Sequence, residues 1–236
     1  MKQQFDSIIF DMDGVLVSNS SYIQAIKKTV AQYCPGTDMP TEYIEEIKSI
    51  TGFNNDWDTS YALIQLLGSN VPVGRFASQV NRITDEVRAA PFYRIMRDTF
   101  QSYYLGDNNS GFIATETLLI GLPVVQRLSR YYTLGIATSR PRYEAVFAAT
   151  NLRISPYYIP IDFIVAKEDA PREKPFPDPL ILAKNRMGVS KPIYIGDTIN
   201  DTVAAAAAGM PCIYVGKRDL GDFQIQNPNQ ITEVLL

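Results

Sequence analysis

Five short apolar runs constrain the fold more than anything else in the chain: residues 7–10 (SIIF), 133–137 (TLGIA), 163–165 (FIV), 193–195 (IYI) and 212–215 (CIYV). Their apolar residues follow one another instead of alternating with polar ones, the mark of strands buried on both faces. Helix-compatible stretches separate the last four. Strands alternating with helices predict an α/β fold, a parallel sheet with helices packed on each side.

Two of the intervening helices carry end signals. Residues 203–208 are strong helix formers, Gly209 suits the position just past a helix end, and Pro211 blocks continuation. Asp178 before Pro179 reads as an N-cap followed by proline at the first helical position. From about residue 18 the texture changes. Tyr22, Ile23, Ile26, Val30 and Tyr33 recur at helical spacing, as do Tyr43, Ile44, Ile47 and Ile50, with no comparable strand. The predicted organisation is a discontinuous core, 1–17 and 112–236, interrupted by an all-helical insertion at 18–111 that closes near LGDNNSG.

The chain has no histidine, which excludes a Ser-His-Asp triad, a Cys-His dyad, a phosphohistidine and any His-ligated zinc. Its chemistry must rest on carboxylates, hydroxyls and lysine, with or without a hard cation. A net charge of -3, with Lys and Arg scattered along the chain, argues against nucleic acid as a partner. Cys34 and Cys212 stand far apart, with no CxxC spacing. No apolar run approaches the ~20 residues of a membrane span, and Met-Lys-Gln-Gln leads straight into the first strand. The expectation is a cytoplasmic protein acting on a small ligand, with no membrane partner.

The residues at the strand ends sharpen this expectation. Asp11, Asp13 and Gly14 come after the first strand; Thr138, Ser139 and Arg140 after the second; Lys174 after the third; Gly196, Asp197 and Asp201 after the fourth. In an open α/β sheet the carboxyl ends of the strands form the ligand crevice, so these groups should converge. Clustered carboxylates repel unless a cation sits among them, and oxygen ligands favour Mg2+. A metal, a lysine and hydroxyl donors suit a phosphoryl group, and aspartate is a competent phosphoryl acceptor. Alone, DMDG reads equally well as a turn that ends a strand.

DMDG at 11–14, Thr138 after LGIA, Lys174 in KPFPDP and GDTIND at 196–201 resemble, in order, the four motifs of the haloacid dehalogenase superfamily. The helical insertion between the first two resembles the cap of its phosphoglycolate-phosphatase and beta-phosphoglucomutase branch. The resemblance implies a Rossmann-like three-layer core and a Mg2+-dependent phosphatase acting on a small phosphorylated metabolite through an aspartyl-phosphate. It implies Asp11 as nucleophile and metal ligand, and Asp13 as general acid and base whose backbone carbonyl binds the metal. Thr138 and Lys174 would hold the phosphoryl group, and Asp197 would be the third metal ligand. Asp201 and Gly14 would have supporting roles. Ser139 and Arg140, with Asn54 and Asn55 of TGFNNDWDTS, are candidate substrate contacts. That last segment also reads as a plain connection in which Trp57 packs inward and Asp56 or Asp58 starts a helix. A phosphomutase of the same fold shares the first half-reaction and remains an alternative. A non-catalytic phosphate-binding protein is a further one.

Overall fold

The computed structural model describes residues 4–37, 39–50, 53, 55–69, 71–72, 74–76 and 83–236. It divides into two compact units, one formed by Met1–Ser18 with Thr117–Leu236 and the other by Asn19–Glu116.

The discontinuous unit is built on a parallel sheet of β1 (Ser7–Phe10), β2 (Thr133–Ala137), β3 (Ile164–Val165), β4 (Pro192–Gly196), β5 (Cys212–Val215) and β6 (Phe223–Ile225). Their order across the sheet is β3-β2-β1-β4-β5-β6. This is the Rossmann arrangement, and its direction of winding reverses between β1 and β4, where Phe10 stands beside Ile195. All four residues of β1 are buried, as the unbroken apolar run predicts.

The helices of this unit, numbered after those of the other unit, are α6 (Leu122–Leu128), α7 (Arg142–Asn151), α8 (Asp178–Met187), α9 (Ile199–Ala207) and α10 (Ile231–Leu235). Strand side chains alternate between the two faces. Ile8, Phe10, Leu134, Ile136, Ile193 and Ile195 pack with Val125 and Leu128 of α6 and Ala145 and Ala148 of α7. Ile9, Ala137, Val165 and Tyr194 pack with Leu180 and Ala183 of α8 and Ala204 and Ala205 of α9. Of the alanine run at 204–208, Ala204 and Ala205 are the buried pair, small side chains on the face turned to the sheet, as are Ala145 and Ala148 of α7.

Two local expectations shift. Pro177, one residue earlier than expected, caps α8, and Asp178 lies in the first turn with its carboxylate held by Arg172 at 2.8 and 3.1 Å. The sixth strand carries a glutamine in its middle and buries only Ile225, so it shows no apolar run in the sequence. The chain leaves this unit at Ser18 and returns at Thr117. Ser18 N–H donates to the Thr117 carbonyl at 2.9 Å, which keeps the two crossings side by side.

The second unit contains α1 (Ser20–Tyr33), α2 (Thr41–Lys48), α3 (Asp56–Ser69), α4 (Asp85–Ala89) and α5 (Pro91–Tyr104). Tyr22, Ile26 and Val30 of α1 are buried, as are Ile44 and Ile47 of α2, the residues whose spacing marks these helices in the sequence. Tyr93, Met96, Phe100 and Tyr104 form the buried stripe of α5. Its buried carboxylates are paired. Asp58 accepts from Arg88 at 2.6 and 3.2 Å and from the Tyr93 hydroxyl, and Glu116 accepts from Ser21 and Tyr104. Both cysteines are free thiols. Among the described residues no helix is long and apolar enough to cross a membrane.

Candidate active site

The carboxyl ends of β1, β2 and β4 and the segment beyond β3 bring together Asp11, Asp13, Thr138, Arg140, Lys174, Asp197 and Asp201. Asp11 continues β1 by one residue, and its N–H donates to the Ile195 carbonyl of β4 at 2.8 Å. It therefore stands at the reversal point of the sheet. Its Oδ1 accepts from the Met12 N–H at 2.8 Å and from Lys174 Nζ at 2.8 Å, leaving Oδ2 with no hydrogen bond among the described residues. Burial pushes the Asp11 carboxyl up to about 7; nearby Asp201 and Asp13 add to this, and Lys174 opposes it.

Lys174 is buried, and each of its three ammonium protons has an acceptor: Asp11 at 2.8 Å, Asp201 at 2.6 Å and the Tyr194 hydroxyl at 2.9 Å. Burial works against its charge, but the two carboxylates outweigh burial and raise its pKa. Asp201 is filled as an acceptor. Its Oδ1 takes Lys174 and the Tyr194 hydroxyl; its Oδ2 takes the N–H and hydroxyl of Thr198, closing a capping box at the start of α9. Those hydrogen bonds and Lys174 hold its pKa below the usual carboxylate value despite burial.

Asp197 is the opposite case. Among the described residues no hydrogen bond or ion pair reaches it, and burial beside Asp201 and Asp11 pushes its carboxyl well up. Gly14 explains how the loop after β1 comes so close. Its φ is +71°, and a Cβ there would lie 1.9 Å from Asp197 Oδ2, so a side chain is excluded by both conformation and space.

One carboxylate oxygen from each of Asp11, Asp197 and Asp201 lies within 4.8 Å of the others. Counting Asp13, and with all four ionised, the described residues set four carboxylates against two cations, Lys174 and Arg140; the two negative charges left over, disfavoured by burial at Asp11 and Asp197, are the complement of one divalent cation. The oxygen donors, the bare Asp197 and the open Oδ2 of Asp11 fit Mg2+. The saturated Asp201 fits the part of a support better than that of a ligand.

Thr138 is buried at the end of β2. Its N–H donates to the Val165 carbonyl at 2.9 Å, and its Oγ1 accepts the Arg140 N–H at 3.2 Å. Ser139 beside it is partly exposed. Arg140 is turned toward Asp13, with Nε to Oδ2 at 2.9 Å and Nη2 to Oδ1 at 2.6 Å. Asn55 serves the local structure: its Oδ1 accepts the Trp57 N–H at 2.8 Å and its carbonyl accepts the Thr59 N–H, at the start of α3. Asn54 lies outside the described residues.

Sequence reasoning passed over two groups here. Tyr194 sits within the apolar run of β4, where it reads as one more buried ring, yet its hydroxyl bridges Lys174 and Asp201. A tyrosine two residues before a strand's terminal glycine is the signal that was available. Asn200, in the first turn of α9, is buried, and among the described residues neither of its side-chain amide atoms has a hydrogen-bond partner.

A Rossmann-type parallel sheet with a carboxylate-lysine cluster at its point of reversal defines a class of α/β proteins whose crevice suits a phosphoryl group. Within that class the chain belongs to the haloacid dehalogenase-like hydrolases, whose family model matches residues 5–209, and it is an enzyme of the phosphatase kind. It is 30% identical over 215 residues to an imidazoleglycerol-phosphate dehydratase of Phytophthora nicotianae, covering 89% of this chain but only 43% of that protein. It is 26% identical over 212 residues to the phosphoglycolate phosphatase of Escherichia coli O157:H7, covering 87% of this chain and 79% of that one. Among solved structures it is similar in fold to phosphatase Tt82 from Thermococcus thioreducens. The TM-score is 0.71 at 22% identity, with 96% of this chain and 97% of that one covered.

Proposed function

We propose that the protein is a Mg2+-dependent phosphatase that hydrolyses a small phosphomonoester through a phosphorylated Asp11. The observation that carries this reading is the state of Asp11: one oxygen anchored by Met12 and Lys174, the other unbonded, at the reversal point of a family-typical sheet. That is a nucleophile fixed in direction. Asp11 and Asp197, with the carbonyl of Asp13, would hold the metal, which when bound neutralises charge on the transferring phosphoryl group. Thr138 and Lys174 orient that group and balance its remaining charge.

Asp11 attacks phosphorus, and the bond to the ester oxygen breaks as that oxygen takes a proton from Asp13. Water then attacks the phosphorus of the aspartyl-phosphate, gives its proton to Asp13 and frees Asp11 as phosphate departs. The helical unit Asn19–Glu116, placed in sequence between the first two strands, is read as the cap that selects the ester. A cytoplasmic location suits such a metabolite. The phosphoglycolate phosphatases among its relatives make phosphoglycolate the first ester to try.

Purified protein is to be assayed for phosphate release from a panel of phosphorylated metabolites, before and after EDTA. Turnover lost in EDTA and restored by Mg2+ is the expected result. Undiminished turnover in EDTA, or no turnover of any monoester with Mg2+ present, rejects the reading.

A further inference from the structure

One strong contact in the crevice takes no part in these steps. Arg140 and Asp13 are 127 residues apart in sequence, on the turns after the neighbouring strands β2 and β1, and they meet in a two-point ion pair. The Arg140 side chain is 6% exposed and that of Asp13 29%, so the pair lies at the edge of the crevice with its cation inside. The arginine is anchored at its backbone as well: its N–H donates to Thr138 Oγ1, and its carbonyl accepts the Lys167 N–H at 2.9 Å. The Asp13 backbone is fixed in turn by the tight loop in which Gly14 N–H donates to the Val17 carbonyl at 2.9 Å. A fixed backbone still leaves the direction of the Asp13 carboxylate to be set. The planar guanidinium, with one N–H on each oxygen, sets that direction in a way a single-point cation does not.

We infer that Arg140 is a positioning residue for proton transfer, holding the Asp13 carboxylate in the direction from which it serves the leaving oxygen and the incoming water. This rests on the phosphatase reading and deepens it. Arg140 is a buried side chain rooted in the segment that carries Thr138, so the proton-transfer group and a phosphoryl-binding group share one mount. A general acid contributes only when its oxygen is within hydrogen-bond reach of the atom it protonates, so a carboxylate rotating at will at position 13 would lose much of its value.

The test compares two esters. An alkyl phosphate expels a basic alkoxide and needs the proton; 4-nitrophenyl phosphate expels a stable phenolate and does not. The measured quantity is the ratio of kcat/KM for the alkyl ester to kcat/KM for the nitrophenyl ester, which reports the leaving-group step and not the hydrolysis of the aspartyl-phosphate common to both, in wild type, Arg140→Ala and Arg140→Lys, with folding checked by thermal melting. A positioning role lowers this ratio in Arg140→Ala by roughly tenfold or more, out of the ~100- to 10,000-fold a general acid supplies. Arg140→Lys keeps the charge but loses the two-point grip, so the ratio falls there too. If both esters slow equally in Arg140→Ala, Arg140 binds the phosphoryl group or supports the fold, and the inference is overturned. It is overturned as well if lysine restores the ratio, because charge alone is then enough. Wild-type protein inactive on both esters refutes the phosphatase reading itself, a result distinct from either of these.

Discussion

Lys174 Nζ stands 2.8 Å from Asp11 Oδ1 and 2.6 Å from Asp201 Oδ1, one buried ammonium between two buried carboxylates. Among the described residues neither carboxylate touches another cation, so the lysine makes this arrangement possible. Removing this buried cation leaves two carboxylates uncompensated and costs about 3–5 kcal/mol. Lys174→Gln is expected to lower the urea midpoint accordingly and to reduce kcat by about a hundredfold or more, the usual loss for a donor that stabilises developing charge. Equilibrium unfolding and steady-state turnover on the same preparation check both.

Asp11→Asn separates chemistry from stability. The amide keeps the size of the side chain and removes a charge that burial, Asp201 and Asp13 all disfavour. The variant should melt close to wild type yet release no phosphate from any ester, and it should show no phosphorylated protein by intact mass after rapid quenching. Near-wild-type turnover would refute Asp11 as nucleophile.

Gly14→Ala meets two obstacles at once. Alanine at φ +71° costs about 1–2 kcal/mol, and its Cβ would have to displace Asp197 Oδ2 from 1.9 Å. The expected result is a lower melting temperature together with weaker Mg2+ activation, read from the Mg2+ concentration at half-maximal turnover. A lower melting temperature with unchanged Mg2+ dependence would show that Asp197 accommodates the methyl group.

The acid side of the stability curve should depend on Asp169, which is not one of the four clustered carboxylates. Burial opposes its ionisation, but hydrogen bonds from Arg142, the Ala166 N–H and Arg186 outweigh burial and lower its pKa. A carboxyl lowered on folding stabilises the native state above its unfolded value, about 3.9, and that contribution fades as pH falls through the folded value. Asp169→Asn should therefore be less stable than wild type at pH 7, by about 1.5–3 kcal/mol, the range for hydrogen bonds to a charged group. The gap should narrow below pH ~4. Urea midpoints at pH 7, 5 and 3 test this, and a gap independent of pH would remove Asp169 from the account.

How much of the fold and site could be read in the sequence depended on the kind of signal. The runs 7–10, 133–137 and 212–215 coincide with β1, β2 and β5 because strands buried on both faces need unbroken apolar sequence. β6 escaped notice because an edge strand with Gln224 at its centre needs none. Asp11, Lys174, Asp197 and Asp201 could be placed together because strand ends converge in any open α/β sheet. Their division of labour could not, since it depends on which oxygens are already filled: among the described residues Asp201 takes four donors and Asp197 takes none. Arg140 was legible as a site residue, but its pairing with Asp13 joins two loops whose distance no local pattern encodes.

Tyr194 supplies the sharpest test of that division. Its ring is buried between the sheet and α8 and α9, and its hydroxyl accepts from Lys174 and donates to Asp201 Oδ1 at 2.8 Å. Tyr194→Phe preserves the ring and deletes this bridge, together with a long hydrogen bond to the Ala137 carbonyl at 3.5 Å, leaving one ammonium proton and one carboxylate lone pair without a partner among the described residues. A buried polar group stripped of its partner costs about 1–3 kcal/mol, so a measurable loss of stability is expected although no packing is lost. Lys174 keeps its contacts with both carboxylates, so turnover should fall only a few-fold, with the loss in kcat if Tyr194 fixes the lysine for the transition state. Unchanged stability and unchanged kcat together would show that the hydroxyl is a bystander and that the two carboxylates alone hold Lys174 in place.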